Sequence, residues 1–367
     1  MTWLLNKVIM KDKKFFCVEP FVSLSIIKED HIFPCCLNEG QKSKNKQDLW
    51  NDQYLKNIRE QILNDEVPKE CFPCVEQEKF GRVSRRQHAN TTWLKEHGDF
   101  ESIIENDAPY KLDFWTGNLC NLACSTCNYM NSSTWFSLLK KAHKKEELDL
   151  FYGGNYVNNL DYAYEYKKED IPNIDFKNIE MLHFNGGEPL LTDSHLQILN
   201  LIPTERRKSV NVLYNTNGTV RVNPDDEKWS IFKEFRSVDM CFSVDGIDET
   251  FNYVRWPAKW EEVQHNIDLW AEWCYNDTGD YHFEMSVNMV KTPHNYESFD
   301  NAVEYVTNRW FTKLVELRQH FGYNINDYVF TTNDHAFIDF TNEQFAEYTK
   351  TEKFKQEKIN LERLRSL

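Results

Sequence analysis

Residues 111–127 read Lys111-Leu-Asp-Phe-Trp-Thr-Gly-Asn-Leu-Cys120-Asn-Leu-Ala-Cys124-Ser-Thr-Cys127, a strand-like run followed closely by three cysteines. A cubane [4Fe–4S] cluster is saturated by four thiolates. Three thiolates from one short loop would leave one iron open, and an open iron can bind a substrate or a cofactor. Zinc is the main alternative, but tetrahedral zinc sites prefer ligands in two pairs, and no paired ligand lies close by. A disulfide would leave one thiol over. The spacing favours iron–sulfur over zinc, and zinc over unligated thiols.

Strand-like runs recur after residue 108, and each ends in glycine or a polar cluster. The runs are nearly continuous in apolar residues, and the segments between them are long enough for crossover helices. This pattern predicts an α/β fold with βα units and a parallel sheet or barrel, whose functional residues lie at the carboxyl ends of the strands. The predicted strands are 110–116, 179–185, 210–215, 238–244 and 283–290, with a weaker sixth at 328–332.

The second predicted strand is followed by Gly186-Gly-Glu-Pro189. Two glycines let the backbone approach a ligand closely, and the proline stiffens the turn that leaves the strand. The carboxylate of Glu188 can face a cationic group. Taken alone, the motif is more typical of a tight turn, but its position after a three-thiolate loop favours a ligand site.

The third and fourth predicted strands also end in polar turns. Asn217 follows the third strand, and Ser243-Val-Asp245 ends the fourth. Because side chains two apart on a strand point to one face, Ser243 and Asp245 can together meet the vicinal hydroxyls of a ribose. Ordinary strand-end turn chemistry is the alternative interpretation.

In this order on successive βα units, these motifs resemble the radical S-adenosylmethionine (radical SAM) superfamily, over residues 108–335. The resemblance implies a partial (β/α)6 TIM-like barrel, in which Cys120, Cys124 and Cys127 hold three irons of a [4Fe–4S] cluster. S-adenosylmethionine would chelate the fourth iron. The implied cofactor-binding residues are Gly186, Gly187, Glu188, Pro189, Asn217, Ser243, Asp245 and Arg255.

The same resemblance implies a reaction. The reduced cluster cleaves S-adenosylmethionine, and the resulting 5′-deoxyadenosyl radical abstracts a hydrogen atom from a substrate. Implied partners are a one-electron donor such as flavodoxin or ferredoxin and a substrate, first a peptide or protein and second a small metabolite. No catalytic acid or base is implied for the first step. One departure is Thr126, where the family often has an aromatic residue near the adenine; Tyr129 or Trp135 can substitute.

Residues 1–95 form a cysteine-rich leader, predicted as a β-hairpin followed by helices. The hairpin carries Cys17 on its first strand and Cys35 or Cys36 on its second, and Cys71 and Cys74 lie on a closing loop. The segment resembles the hairpin half of a SPASM or twitch domain, which binds an auxiliary [4Fe–4S] cluster. That resemblance implies Cys17, Cys35, Cys71 and Cys74 as ligands, with Cys36 the alternative to Cys35. A structural zinc site with four cysteines is the competing interpretation.

The composition narrows the function classes. The chain has 43 Lys and Arg against 58 Asp and Glu, a net charge of −15, which argues against binding to nucleic-acid backbones. No apolar run reaches the ~18 residues of a membrane span, and the N-terminus is too interrupted for a signal peptide, so a cytoplasmic protein is predicted. In that compartment clustered cysteines favour metal over disulfides. Residues 341–367 are predicted as one charged helix.

Two other functions stay open. A zinc-stabilised binding protein without catalysis would use the cysteines but not the Gly186–Pro189 turn. A radical SAM enzyme that modifies RNA would need a basic surface, and Arg82, Arg85 and Arg86 offer a small one.

Overall fold

The computed structural model describes residues 14–27, 31–35, 37, 40–45, 47–104, 106–142, 171, 174–277, 282–318 and 322–367. The chain divides into two compact units. The first unit holds residues 1–115, 166–183 and 200–210, and the second holds residues 116–165, 184–199 and 211–367. The domain bounds 1–95, 108–335 and 341–367 stay predictions.

The described strands confirm the predicted α/β fold. The six strands expected after residue 108 all form, and each begins and ends within two residues of its predicted bounds. Their apolar runs therefore carried enough information to locate them. The strands are β1 (Ser23–Ile27), β2 (His31–Phe33), β3 (Gln41–Lys42), β4 (Lys111–Trp115), β5 (Met181–Asn185), β6 (Asn211–Thr216), β7 (Ser237–Ser243), β8 (Phe283–Lys291) and β9 (Val329–Asn333).

Helices separate most of the strands. No helix among the described residues is long and apolar enough to cross a membrane. The α-helices are α1 (Glu19–Val22), α2 (Gln53–Leu63), α3 (Phe72–Lys79), α4 (Arg85–His97), α5 (Ser133–Ala142), α6 (Ser194–Leu201), α7 (Thr204–Arg207), α8 (Asp248–Val254), α9 (Trp260–Asn276), α10 (Tyr296–Val306), α11 (Thr312–Arg318), α12 (Asn342–Thr349) and α13 (Glu352–Arg365).

The first unit contains the predicted hairpin, and its strand order is β3-β2-β1-β4. Strand β1 pairs antiparallel with β2, with Ser25 opposite Phe33, and parallel with β4, with Ser25 opposite Asp113. Helix α2 packs because its buried residues, Leu55, Ile58 and Ile62, recur at helical spacing.

The second unit carries the cysteine loop and the later βα units. Its strand order is β6-β7-β8-β9, and all three pairs are parallel. In the β7–β8 pair, Ser243 lies opposite Asn288, so β7 ends beside the end of β8. Successive βα units in this order are what a partial (β/α)6 barrel requires. The carboxyl ends of these strands bring the candidate site residues to one edge.

The placement of Cys17 on a strand was wrong. Strand β1 begins only at Ser23, and the residues before it form the helical turn α1. Pro20 lies in the first turn of α1, where its fixed φ suits a helix and its missing N–H costs nothing. Cys17 therefore lies just before a helix.

The other leader cysteines also differ from their predicted positions. Cys35 follows β2 rather than lying on it, because Pro34 cannot donate to the strand ladder. Cys71 ends a short 3-10 turn, and Cys74 lies on helix α3 instead of a loop. Pro73 at the start of α3 favours that helix. Cys36, the alternative ligand, lies outside the described residues.

The predicted single helix over 341–367 is two helices. The hydroxyl of Thr341 accepts from the N–H of Gln344 and begins α12, and the hydroxyl of Thr351 accepts from the N–H of Phe354 and begins α13. Threonine side chains at these positions satisfy amides that a continuous helix would bond internally. The second helix is thereby free to take its own direction.

A buried histidine in the second unit should make the fold sensitive to acid. His195 has no exposed surface, and its Nδ1 lies 2.8 Å from the hydroxyl of Tyr214. Burial lowers the pKa of His195 to about 3. Below about pH 6.5 the unfolded chain binds a proton at His195, whereas the folded chain does not until about pH 3. The free energy of unfolding should therefore decrease as the pH is lowered from about 6.5 to about 3.

We expect His195→Gln to weaken that dependence. Between pH 6.5 and 5 the free energy of unfolding of the native sequence should fall by about 2 kcal/mol more than that of the variant. Urea unfolding at several pH values measures the difference. His88→Gln, at an exposed position of helix α4, is the control and should keep the native pH dependence. Equal slopes for the native sequence and His195→Gln would contradict the prediction.

Candidate functional site

The three cysteines of the second unit lie on one loop between β4 and α5. The carbonyl of Cys120 accepts from the hydroxyls of Ser133 at 3.1 Å and Thr134 at 2.7 Å, at the start of α5. The indole Nε1 of Trp135 donates to the carbonyl of Cys124 at 2.9 Å. The first turn of one helix therefore holds the loop at two points, Cys120 and Cys124.

The thiols of this loop are close enough to influence one another. Burial is the main cause that raises the pKa of Cys120 to about 12 and that of Cys127 to about 11, and neighbouring thiols contribute to both rises. Burial also raises the pKa of Cys124. A cationic metal centre would compensate for the buried negative charge of three thiolates. This donor set fits an iron–sulfur cluster.

The Gly-Gly turn packs directly on the cysteine loop. The N–H of Gly187 donates to the carbonyl of Gly117 at 2.9 Å, and the N–H of Glu188 donates to that of Leu119 at 2.7 Å. A Cβ atom at Gly186 would collide with the Gly117 oxygen, and one at Gly187 with the Leu119 oxygen. Gly186 also has a φ of 117°, which favours glycine. Glycine is therefore required here for backbone-to-backbone contact.

Glu188 points into the protein rather than along the surface of the turn. Its carboxylate accepts from the N–H of Leu190 at 3.1 Å, the hydroxyl of Thr216 at 2.9 Å and the N–H of Asn217 at 2.6 Å. Burial raises the pKa of Glu188 to about 7, against these hydrogen bonds, which favour the ionised form. The side chain joins the Gly-Gly turn to the end of β6. Pro189, also buried, begins a short 3-10 turn.

Asn217 reaches the first cysteine. Its Nδ2 donates to Oδ1 of Asn121 at 3.0 Å and lies 3.8 Å from Sγ of Cys120. Its Oδ1 accepts from the N–H and the hydroxyl of Thr219. An amide held in this way can donate to a thiolate, and hydrogen bonds to cluster sulfurs help to set the reduction potential.

Asp245 and Arg255 form a buried ion pair. Nη2 of Arg255 lies 2.7 Å from Oδ2 of Asp245, although the pair lacks the angles of a hydrogen bond, and Oδ1 of Asp245 accepts from the N–H of Val290. Nη1 of Arg255 lies 3.8 Å from Sγ of Cys124. Burial disfavours the guanidinium charge, yet Asp245 and Cys124 raise the pKa of Arg255 above its ordinary value.

The two residues of the predicted pair, Ser243 and Asp245, thus lie in different environments. Ser243 is half-buried at the end of β7, whereas Asp245 is fully buried. The carboxylate of Asp245 is directed to Arg255 and to the backbone of β8. Contact between a ligand and either Ser243 or Asp245 stays a prediction.

Sequence reasoning missed Arg365 in helix α13. Its Nη2 donates to the carbonyl of Ala123 at 2.7 Å, inside the cysteine loop. The only local signal was an arginine in a charged helix, so nothing in the sequence singled it out.

In the first unit, the four leader cysteines line one cavity. Cys17, Cys35, Cys71 and Cys74 surround about 390 Å³ of unfilled space, part of it open to solvent. Burial raises the pKa of Cys17, and Glu19, Cys35 and Cys71 raise it further. Burial raises the pKa of Cys71 to about 12. Four thiols around one space, two of them buried and two half-buried, fit a cluster or a zinc ion.

The rim of this cavity is charged. Arg85 pairs with Glu19 at 2.8 Å, and Arg86 pairs with Glu78 at 2.6 Å. Arg86 also lowers the pKa of Cys71, although burial dominates. Among the described residues, no three His, Cys, Asp or Glu side chains are already arranged to hold a metal ion.

No protein-family model matches the chain, and no curated protein matches it. The chain is similar to a solved structure of native anSMEcpe with bound AdoMet and Cp18Cys peptide, at 18% identity and a TM-score of 0.34, over 61% of this chain and 50% of that one. It is also similar to Streptococcus suis SuiB, at 14% identity and a TM-score of 0.33, over 79% and 64%.

A third similar structure is SuiB bound to the precursor peptide SuiA, at 13% identity and a TM-score of 0.31, over 82% of this chain and 60% of that one. The chain thus spans half the length of anSMEcpe and less than two thirds of SuiB. Similarity at this level defines no activity, so function is inferred below from the residues of this chain.

Proposed function

We propose that the chain is a radical SAM enzyme. The observation that carries the proposal is the contact between the three-cysteine loop and the Gly-Gly turn, where two backbone hydrogen bonds leave no room for a Cβ atom. A zinc-stabilised binding protein has no need of this contact. Cys120, Cys124 and Cys127 would hold a [4Fe–4S] cluster, which together with S-adenosylmethionine would supply the radical chemistry for abstraction of a hydrogen atom from a substrate.

The protein's own residues would bind and orient this group. Cys120, Cys124 and Cys127 hold the cluster in the proposal, and the N–H donors of Asn217 and Arg255 lie beside two of their sulfurs. The proposed cofactor contacts are those the sequence motifs imply, Gly186, Gly187, Glu188, Pro189, Asn217, Ser243, Asp245 and Arg255.

Two of these residues have a second role in the proposal. Glu188 already accepts three hydrogen bonds, and Asp245 is paired with Arg255. In the proposal both carboxylates therefore position the site through contacts within the protein, and the half-buried Ser243 contributes a hydroxyl to the cofactor.

A second [4Fe–4S] cluster is proposed for the leader cavity. Support comes from the four thiols of Cys17, Cys35, Cys71 and Cys74 around one space, which would saturate a cluster. A saturated cluster suits electron relay or structural support. A peptide or protein substrate is proposed from the resemblance to SPASM and twitch enzymes, with a one-electron donor such as flavodoxin or ferredoxin, in the cytoplasm.

Counting iron and sulfide after anaerobic reconstitution tests the proposal. About eight irons per chain are expected for two clusters, about four for one, and zinc without a brown chromophore would overturn the proposal. Replacing Cys120, Cys124 and Cys127 by Ala should remove about four irons and abolish reductive cleavage of S-adenosylmethionine.

The matched variants separate the two sites. Replacing Cys17, Cys71 and Cys74 by Ala should remove the other four irons and leave the first cluster in place. Cys241→Ala and Cys274→Ala change buried cysteines outside both groups and should leave the iron count unchanged. Normal cleavage by the Cys120, Cys124 and Cys127 variant would show that the cluster is assigned to the wrong cysteines.

A further inference from the structure

Arg365, in the last turn of helix α13, binds two separate segments of the second unit. Its Nη2 donates to the carbonyl of Ala123 at 2.7 Å, and its Nη1 donates to the carbonyl of Tyr253 at 2.6 Å. The first carbonyl belongs to the cysteine loop. The second belongs to residues 253–256, the segment that carries Arg255.

The same two segments are also bonded through their backbones. The N–H of Ala123 donates to the carbonyl of Trp256 at 2.7 Å, and the N–H of Ser125 donates to that of Val254 at 2.8 Å. Arg365 thus binds one carbonyl on each of two segments that are already joined by two backbone hydrogen bonds. One guanidinium fork can hold two carbonyls in fixed relation, which a point charge cannot.

The surroundings of Arg365 make these bonds strong. Its guanidinium carbon lies 5.4 Å from the ring centre of Tyr253 and 5.7 Å from that of Trp256. On the same helix, Leu361 and Leu364 pack with Ala123, in a cluster that also contains Trp135 and Cys127. Hydrogen bonds from a charged group are worth more when water is excluded.

We propose that Arg365 is a positioning residue that holds the cysteine loop against residues 253–256, so that Cys124 faces Arg255. Its consequence for a cluster rests on the proposed function, whereas the contact itself involves only groups of the chain. Helix α13 is then part of the site although it carries no ligand. Loss of the fork should loosen both segments together and leave the other βα units unchanged.

Hydrogen exchange of the iron-free protein tests this role. In Arg365→Met, which keeps a long apolar stem, exchange of the Ala123 and Ser125 amides should accelerate about tenfold or more, as expected for loss of hydrogen bonds from a charged donor. Arg363→Met removes an exposed arginine of the same helix and should leave these rates unchanged. Peptides covering β6 to β8 report whether the change is local.

A conservative variant keeps the test decisive if Arg365→Met fails to fold. Arg365→Lys retains the charge but can satisfy only one carbonyl well, so its exchange rates should fall between those of the native sequence and Arg365→Met. Native rates in Arg365→Lys, or in Arg365→Met, would overturn the proposal. So would equal acceleration in Arg363→Met.

Reconstituted protein gives a second readout. Where the native protein takes up iron, Arg365→Met should alter the electron paramagnetic resonance signal of the cluster held by Cys120, Cys124 and Cys127. An unchanged signal would overturn the positioning role. If the native protein takes up no iron, the proposed function fails, while the exchange rates still decide whether Arg365 holds the two segments.

Discussion

Gly187→Ala should destabilise the iron-free protein by about 3 kcal/mol and prevent it from retaining iron at the three-cysteine loop. The added Cβ atom would collide with the carbonyl of Leu119, which is backbone and cannot rotate away. Relief requires the Gly-Gly turn and the cysteine loop to separate, and that breaks the hydrogen bonds from Gly187 to Gly117 and from Glu188 to Leu119. Urea unfolding and the iron count after reconstitution measure the two effects.

Gly246→Ala is the matched control for this prediction. Gly246 also follows a strand of the second unit, but its added Cβ would meet the side chain of Thr250 rather than a backbone oxygen. Because a side chain can shift, a smaller loss of about 1 kcal/mol is expected, with iron uptake retained. Similar losses in the two variants would contradict the argument that backbone contact makes Gly187 necessary.

Part of the contact at Gly187 could be predicted from the sequence. The strands β4 to β9 could be predicted because each is a nearly continuous apolar run, and the position of Cys120 after β4 placed it at the carboxyl edge. The sequence also indicated that the Gly-Gly turn needs close approach. The sequence could not show that the Gly-Gly turn packs on the cysteine loop. The clash of a Cβ atom at Gly187 with the Leu119 oxygen depends on a tertiary contact, which no local pattern encodes.

Other features depended on partners distant in the sequence. Glu188 was predicted to be able to face a cationic group, and the structure adds that its carboxylate accepts from donors at the end of β6, 28 and 29 residues away. Arg365 lies 242 residues from Ala123. No local pattern encodes such pairs. The prediction that placed Cys17 on a strand failed for a local reason, because Pro20 favours a helical turn just before β1.

Arg255→Met should lower the free energy of unfolding of the iron-free protein by about 3–5 kcal/mol, because it leaves the fully buried carboxylate of Asp245 without its cation. Both side chains are largely removed from water, with 11% and 0% exposed. Arg255→Lys keeps a charge but loses the planar fork that reaches both Asp245 and Cys124, so it should recover only part of the loss.

The double variant separates pairing from packing. Adding Asp245→Asn to Arg255→Met removes the unpaired charge, and it should restore a large part of the stability that the single change removes. The control is Arg309→Met, which breaks a bidentate pair with Asp268 that is about one-third exposed. That change should cost about 1 kcal/mol or less, because exposed pairs contribute little.

The position of Arg255 beside Cys124 gives the same variant a redox consequence. Where the native protein binds a cluster, loss of the donor 3.8 Å from Sγ of Cys124 should lower the midpoint potential, because hydrogen bonds to cluster sulfurs stabilise the more negative reduced state. Potentiometric titration of the reconstituted protein measures the shift. An unchanged potential together with a large loss of stability would mean that Arg255 stabilises Asp245 but does not influence the cluster. A loss of stability no larger than that of Arg309→Met would contradict the predicted contribution of the buried ion pair to stability.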